Sequence, residues 1–451
     1  MPISRVLIAN RGEIAVRIIR ACRGNGKETV LAASEADQGS LPSKMADRVV
    51  CIGPARSLDS YLKVDAIVAA ALGTGCNAIH PGYGFLAEEP RLAEACAKNG
   101  VQFIGPPAEK IRSMGNKLLA REAVKDFGIP VVPGSKKVGN FQEASAMTAE
   151  MGYPVLLKAS AGGGGRGIKI ATNPSELQKG FETASAEARA AFGDETLYLE
   201  RYIPNAKHIE VQVLGDQAGN VIHLGERDCS LQRRYQKVVE EAPASSITED
   251  LRNEIHRAAV TIAKEMRYEN AGTLEFIVDR DNERFYFLEM NTRIQVEHPV
   301  TEMITGIDLV REQISIADGR PLSYAQSDVK FTGHAIECRI NAESPGDGFR
   351  PCPGSIDQWS PPKGVGIRVD SHCFPGYSVP PFYDSLLAKL ILHGEDRPKT
   401  IQRMRQALET FKVKGIDTTL PFLNFLLSQQ SYAAGDVNTR WLEERLEQFS
   451  L

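Results

Sequence analysis

The sequence predicts an α/β protein, α+β in part, whose N-terminal region is a doubly wound parallel sheet. Three observations lead to this prediction. Residues 1 to about 114 alternate apolar strands with amphipathic helices, which is the rhythm of a parallel sheet. Residues 271–298 have the pattern of a β-hairpin, and residues 208–214 and 334–343 alternate in the β manner. The 451 residues are enough for two or three domains with large cores.

The N-terminal elements follow one another at short intervals. Residues 6–9 predict the first strand, and the isoleucines at 14, 18 and 19 are spaced as one face of a helix after the turn at Gly12. The segment Asn10-Arg-Gly-Glu-Ile lacks the GxGxxG spacing, so a dinucleotide site is not favoured. The further elements predicted here are a strand at 29–33, a helix at 66–72, and a strand at 78–79 that leads into His80-Pro-Gly-Tyr-Gly-Phe.

A glycine-rich segment follows the strand predicted at 153–158. It reads Ala159-Ser-Ala-Gly-Gly-Gly-Gly-Arg-Gly and is bracketed by the positive charges of Lys158 and Arg166. Successive glycines add no packing, but they let backbone N–H groups approach phosphates closely. The pattern favours a loop that covers phosphates over a flexible hairpin turn. Since a strand follows and GK[ST] is absent, it is not a P-loop. We expect residues from about 131 to 205 to form a mobile lid.

Two β-prone runs flank a polar turn at 279–283. If Asp279 faces Phe285 across the ladder, Glu275 faces Glu289, and both carboxylates project from one face with Asn291. Like charges placed opposite each other repel, whereas carboxylate and amide oxygens are ligands that Mg²⁺ prefers. The hairpin therefore predicts a Mg²⁺-nucleotide site. The alternative is a solvated hairpin face that happens to carry two Glu.

Polar runs surround this hairpin in the sequence. Arg293, Gln295, Glu297 and His298 come directly after it, a pattern typical of a small-anion pocket. Residues 226–241 are dense in mixed charge, and a solvated loop is the alternative there. The remaining predicted elements are an edge strand at 197–203 with Glu200 among apolar residues, a strand at 334–343 with Arg339 near its middle, helices at 251–264 and 398–410, and a helical C-terminus.

Composition excludes several classes of protein. The net charge of −4 argues against broad nucleic-acid binding, and no apolar run approaches the roughly 20 residues of a membrane span. The N-terminus has no charged-then-apolar signal pattern. Eight scattered cysteines without a CxxC pair are typical of reduced thiols. We therefore expect a cytoplasmic protein.

Several long motifs, in the same order, resemble those of the biotin carboxylase family of the ATP-grasp fold. The resemblance covers essentially the whole chain and implies ATP-dependent carboxylation of biotin by bicarbonate. It implies an N-terminal domain at 1–114, an ATP-grasp domain at 115–334 that includes the lid, and a C-terminal domain at 335–451. The motifs are Ile8-Ala-Asn-Arg-Gly-Glu-Ile-Ala, His80-Pro-Gly-Tyr-Gly-Phe-Leu, the glycine loop, Glu226-Arg-Asp-Cys-Ser-Leu-Gln-Arg-Arg, and Glu289-Met-Asn-Thr-Arg-Ile-Gln-Val-Glu-His-Pro-Val-Thr-Glu.

The resemblance also implies roles for individual residues. Glu297 would be the base that activates bicarbonate, and Arg339 would stabilise the biotin enolate. Glu275, Glu289 and Asn291 match the metal-binding positions for Mg²⁺ or Mn²⁺. The other implied contacts are Lys117, Lys158, Gly164, Gly165, Glu200, Ile203, His208 and Gln232 with ATP, Arg293, Gln295, Val296 and Lys237 with bicarbonate, and Tyr83 on the biotin side.

Three positions depart from the family pattern. Tyr235 stands where many members carry His beside the ribose, and Gly24 and Val365 stand at positions of the subunit interface. We still expect a homodimer. The chain has no biotinylation motif or carboxyltransferase region, so we expect a free-standing subunit that acts on a biotin carboxyl carrier protein beside a carboxyltransferase.

The acyl acceptor is left open by the residues. Acetyl-CoA carboxylase, in fatty acid biosynthesis, is the first expectation, with propionyl-CoA, pyruvate and other acyl carboxylases as alternatives. Another ATP-grasp ligase or a non-catalytic scaffold paralogue is a more remote alternative. The residues from Arg293 to Glu297 and Arg339 argue against both.

Overall fold

The N-terminal region forms the predicted parallel sheet, with strand order β3-β2-β1-β4-β5 and parallel pairing throughout. The computed structural model describes residues 2–135, 137–159, 169–192 and 195–449, and at 117, 118, 159, 191, 192 and 447 the backbone only. The predicted strands and helices lie within two residues of those observed. The elements are β1 (Arg5–Ile8), α1 (Gly12–Gly24), β2 (Glu28–Ala33), α2 (Leu41–Met45), β3 (Arg48–Cys51), α3 (Val64–Gly73), β4 (Ala78–His80), α4 (Pro90–Lys98) and β5 (Gln102–Phe103).

A second, smaller antiparallel sheet has the order β7-β6-β8 and a hydrophobic core of its own. Its first strand begins two residues later than predicted. The glycine loop lies outside the described residues, and a strand follows it as predicted. The elements are α5 (Ala108–Gly115), α6 (Lys117–Asp126), α7 (Phe141–Met151), β6 (Val155–Ala159), β7 (Lys169–Ala171), α8 (Pro174–Phe192) and β8 (Leu197–Arg201).

The third sheet begins with long, largely buried strands that carry most of the predicted polar motifs. Helix α9 packs on one face of these strands and buries an apolar stripe that includes Ile255, Ala259 and Ile262. The elements are β9 (Ala206–Gly215), β10 (Val221–Arg233), β11 (Gln236–Ala242), α9 (Glu249–Glu265), β12 (Asn270–Asp279), β13 (Arg284–Asn291), α10 (His298–Thr305), α11 (Leu309–Ala317) and β14 (His334–Asn341).

The C-terminal region adds two strands to the same sheet, and its other strands form three two-stranded ladders. Its elements are β15 (Glu343–Ser344), β16 (Arg350–Pro351), β17 (Gly354–Ser355), β18 (Gln358–Ser360), β19 (Ile367–Ser371), β20 (Ser378–Val379), β21 (Leu386–Gly394), α12 (Arg397–Thr410), β22 (Lys412–Lys414), α13 (Leu420–Ser428) and α14 (Gln430–Ala433). The eight-stranded sheet has the order β13-β12-β9-β10-β11-β14-β21-β19. Since β14 pairs with β11, the polar residues on both sides of position 334 share one sheet.

Among the described helices, none has the length and apolar character needed to cross a membrane.

Candidate active site

A cavity of about 1030 Å³ is lined by residues at the carboxyl edge of the parallel sheet, by residues of the smaller antiparallel sheet and by residues of the eight-stranded sheet. The segment 10–14 after β1 lines it from the carboxyl edge of the parallel sheet, where α/β folds place their ligands. Lys117 begins α6, and its side chain is not described. Gly164 and Gly165 lie outside the described residues. The other predicted site residues all line the cavity: Tyr83, Lys158, Glu200, Ile203, His208, Gln232, Tyr235, Lys237, Glu275, Glu289, Asn291, Arg293, Gln295, Val296, Glu297 and Arg339.

The β12–β13 hairpin pairs Glu275 with Glu289, as strand parity predicted. The starting register was wrong, because Asp279 pairs with Arg284 rather than with Phe285. A β-bulge at Leu288 inserts one residue into β13 and restores the predicted pairing beyond it. Thus two one-residue effects cancel at the position that matters for the site.

The Glu275 carboxylate is buried at the centre of a polar cluster. It accepts hydrogen bonds from Asn291 Nδ2 at 2.8 Å and Gln295 Nε2 at 2.9 Å, and lies 3.2 Å from both Lys237 Nζ and His208 Nε2. Burial alone would raise its pKa, but Lys237 and His208 hold the pKa well below its usual value. The oxygens of Glu275, Glu289 and Asn291 form a hard donor set that fits Mg²⁺ or Mn²⁺.

Glu297 lies between two cations. Its Oε1 accepts from Lys237 Nζ, and its Oε2 lies 2.9 Å from Arg339 Nη2. The side chain is 2% exposed. Burial would raise its pKa, but the charges of Lys237, Arg339 and Arg227 lower it further than burial raises it. Glu297 is therefore ionised, as a base must be before it accepts a proton.

Family models match the chain in three segments. They are described as the N-terminal domain of biotin carboxylase at 2–111, the ATP-binding domain of the carbamoyl-phosphate synthase L chain at 116–325, and the C-terminal domain of biotin carboxylase at 337–444. Biotin carboxylase 1 of Bacillus subtilis is 54% identical over 442 residues, which are 98% of each chain. The chain belongs to the biotin carboxylase family.

Two further proteins are similar to this chain. A pyruvate carboxylase subunit of Methanothermobacter thermautotrophicus is 48% identical over 98% of this chain and 90% of its own length. The biotin carboxylase domain dimer of 2-oxoglutarate carboxylase from Hydrogenobacter thermophilus, in a crystal structure with MgADP, ADP and bicarbonate, superimposes with a TM-score of 0.94. It is 50% identical and covers 100% of this chain and 99% of that one.

Arg293 is oriented by a residue that sequence reasoning missed. Glu88, in the loop after His80-Pro-Gly-Tyr-Gly, accepts from Arg293 Nε at 2.8 Å and from the backbone N–H of Thr292 at 3.1 Å. Arg293 also donates to Asn291 Oδ1 at 3.2 Å. The motif that begins at His80 ends at Leu86, two residues before Glu88. Its proximity to this motif was the one sequence feature that could have pointed to Glu88.

Arg227 is the second missed residue and is completely buried. Its guanidinium donates to Glu210, Gln212, Thr273, Thr301 and Gln295, with the bond to Gln295 Oε1 at 2.9 Å. Because Gln295 Nε2 donates to Glu275, this bond sets which way the amide points. The polar run 226–241 is therefore mostly buried strand, and the solvated-loop alternative is wrong.

The side of the cavity next to the smaller sheet is lined by residues of β6, β8 and the β10–β11 turn. Glu200 is buried and forms ion pairs with Lys158 and with Arg121, a residue that sequence reasoning missed. Tyr235 occupies the turn with a positive φ of 64° and is 60% exposed, so its ring faces the open part of the cavity. Gln232 is buried and donates to the carbonyl of Cys229 at 2.8 Å.

Proposed function

We propose that this protein catalyses the first half-reaction of acetyl-CoA carboxylase in the cytoplasm. The reaction is carboxylation of biotin on a carrier protein, with ATP and bicarbonate as substrates. The observation that carries the proposal is the placement of Glu297 between Lys237 and Arg339, in one cavity with the donor set of Glu275, Glu289 and Asn291.

Bicarbonate activation is assigned to Glu297. Arg293, Gln295 and Val296 lie in the same cavity and would seat the anion beside this carboxylate. Glu297 removes the proton of bicarbonate, whose oxygen then attacks the γ-phosphorus of ATP and forms carboxyphosphate with release of ADP. Mg²⁺ held by Glu275, Glu289 and Asn291 would offset phosphate charge.

Biotin carboxylation is assigned to the Arg339 side of the cavity. Carboxyphosphate decomposes to CO₂ and phosphate, and the phosphate can take the ureido proton of biotin. The resulting enolate oxygen needs a fixed positive charge, and a guanidinium supplies one with directed N–H donors. Arg339 already meets one carboxylate, Glu297, on the cavity side, so an anionic oxygen can replace that contact.

Replacing Glu289 with Gln should weaken the metal dependence of turnover. The amide keeps the shape of the side chain but removes one charged oxygen, which a hard cation binds best. We expect the Mg²⁺ concentration needed for half-maximal ATP cleavage to rise and the maximal rate to fall. The matched control is Glu283→Gln in the exposed turn of the same hairpin. Equal Mg²⁺ dependence in wild type and Glu289→Gln would contradict the metal assignment.

Nucleotide binding should slow amide exchange in the smaller sheet if residues 131–205 form a lid. This sheet has its own small core and borders the cavity through Lys158, Ile170 and Glu200. Contacts with bound ATP would remove local opening events that permit exchange. Hydrogen exchange of β6, β7 and β8 should be measured with and without ATP, with α9 as an internal control. Equal protection in both states would argue against the lid.

A homodimer is also proposed. The biotin carboxylase domain of the similar 2-oxoglutarate carboxylase is a dimer in its crystal structure. In this chain Arg17 and Arg368 form ion pairs with Glu302, at 2.8 and 2.6 Å. The positive charges of these two arginines are therefore neutralised within one protomer and do not need a carboxylate from the partner. Val365 is 89% exposed, an apolar side chain that an interface would cover. Analytical ultracentrifugation of wild type and Val365→Glu tests this; unchanged mass distributions would remove Val365 from the interface.

The acceptor is tested through the native complex. The similar proteins include subunits of pyruvate and 2-oxoglutarate carboxylases at comparable sequence identity. Sequence identity therefore does not indicate which acyl acceptor the partner of this chain carboxylates. We expect the co-purified complex to carboxylate acetyl-CoA in preference to propionyl-CoA, pyruvate and 2-oxoglutarate. Preference for another acceptor would reassign the partner carboxyltransferase and leave biotin carboxylation unaffected.

A further inference from the structure

Two carboxylates face each other beneath the Arg339 side of the cavity. Glu240 of β11 and Glu337 of β14 are direct partners in the antiparallel ladder, and both are fully buried. Paired residues in such a ladder have Cβ atoms about 5 Å apart on the same face of the sheet. Two like charges at this distance without water are strongly unfavourable.

The two nearby cations form their hydrogen bonds with groups other than Glu337. Arg339 donates to Glu240 Oε1 and to Glu297 Oε2. Lys389, on the neighbouring strand β21, donates to the carbonyl of Val296 at 2.8 Å and lies 3.1 Å from Glu13.

Glu337 receives no hydrogen bond from these cations. Among the described residues, neither oxygen of Glu337 has a hydrogen-bond partner, nor has Glu240 Oε2. The cross-strand neighbour of Glu337 on β21 is the apolar Ile391. Ala335, two residues before Glu337 on β14, points to the same face of the sheet. Of the two facing acids, Glu240 is therefore the one that ionises more readily, with Arg339 to stabilise the anion, and Glu337 is the one that keeps a proton.

The electrostatics point the same way. Burial raises the pKa of Glu337 well above its usual value. The negative charges of Glu240 and Glu297 raise this pKa further, and the positive charges of Lys389 and Arg339 lower it by less than burial raises it. The pKa of Glu240 is also raised, to about 7, first by burial and then by Glu297, while Arg339 opposes the change. The ring of His298 on α10, near Lys389, has its pKa lowered by burial and is neutral.

We propose that Glu337 is a neutral carboxylic acid at neutral pH and that its retained proton preserves the positive potential of Arg339. An ionised Glu337 would place a third carboxylate around Arg339, in addition to Glu240 and Glu297. The guanidinium would then attract an enolate oxygen less strongly. Glu337 is thus a positioning residue that acts through Arg339. This last step rests on the proposed role of Arg339, whereas the protonation state of Glu337 does not.

Infrared spectroscopy tests the protonation state directly. A buried carboxylic acid has a carbonyl stretch that a carboxylate lacks. We expect the difference spectrum between wild type and Glu337→Gln at pH 7 to contain this band. The control is Glu241→Gln, one residue from Glu240 but on the opposite face and paired with Arg397 and His334; its difference spectrum should lack the band. A wild-type spectrum without the band would overturn the proposal.

Thermal stability gives a second test through its sign. A carboxyl with a raised folded-state pKa binds more protons folded than unfolded, so it destabilises the fold progressively as pH rises above its unfolded value. Glu337→Gln should therefore melt above wild type, with a gap that widens from pH 5 to 8 by roughly 1 °C per pH unit. Glu241 has a lowered pKa, so Glu241→Gln should melt below wild type with a constant gap over that range. A melting gap between Glu337→Gln and wild type that stays constant from pH 5 to 8 contradicts a neutral Glu337.

The catalytic consequence is measured separately. As pH rises through the raised pKa of Glu337, wild type should lose biotin carboxylation, while Glu337→Gln, which cannot ionise, should retain it to higher pH. Bicarbonate-dependent ATP cleavage should have the same pH profile in both proteins. Identical profiles for biotin carboxylation would overturn the link to Arg339. If wild type itself carboxylates no biotin, the proposed function fails, and the infrared and melting tests still decide the state of Glu337.

Discussion

Replacing Glu297 with Gln is expected to reduce biotin carboxylation by ~10²–10⁴-fold, the usual range for loss of a general base. The amide keeps the shape of the side chain, and its single oxygen can still accept a hydrogen bond from Lys237 or from Arg339. It cannot take the proton of bicarbonate. ATP binding should survive, because Glu297 lies beyond the proposed metal ligands Glu289 and Asn291 in the chain and bonds to Lys237 and Arg339.

The test combines carboxylation rates with nucleotide affinity for wild type, Glu297→Gln and Glu265→Gln. The last is an exposed Glu at the end of α9 and serves as the matched control. Carboxylation by Glu297→Gln at the wild-type rate would show that the assigned mechanism is wrong. Because cations lower the pKa of Glu297, it should stay ionised well into the acid range, and no loss of activity near an ordinary Glu pKa should be due to this residue.

Arg339→Ala should separate the two chemical steps. Biotin carboxylation passes through the enolate and should fall steeply, by ~10²–10³-fold, as when an oxyanion donor is lost. Bicarbonate-dependent ATP cleavage should fall less. Removing Arg339 also removes one of the charges that lower the pKa of Glu297, which makes Glu297 a stronger base.

Arg339→Lys is the matched variant, since it keeps the charge but loses the planar fork that reaches Glu240 and Glu297 together. We expect intermediate carboxylation from it, with both activities measured in all three proteins. Equal losses of both activities in Arg339→Ala would contradict a role confined to biotin.

The hairpin illustrates how far local sequence reasoning extends. Alternation of side chains on a strand is a property of the backbone, so the shared face of Glu275 and Glu289 could be predicted without a structure. The turn register could not, because a bulge depends on how both strands pack. The pairing was confirmed only because the bulge at Leu288 compensated for a wrong turn register.

The roles of the site residues stay predictions, but their spatial grouping is observed. Lys237 and Glu297 are 60 residues apart in the chain and hydrogen-bonded in the fold. Arg339 joins them from β14, because β14 pairs with β11 and so extends the sheet past position 334. Without the motifs of a known family, the spacing of these residues alone would not have connected them.

By itself the sequence determined the fold class, several of the longer strands and helices, and many of the polar residues that line the cavity, since these follow from periodicity and from long local motifs. Only the tertiary structure decided which charges meet. Arg227, Glu88, Glu240 and Glu337 take their importance from burial and from neighbours on other strands. The energy of a charged group depends on its dielectric surroundings and on charges a few ångströms away, and neither is encoded in sequence distance.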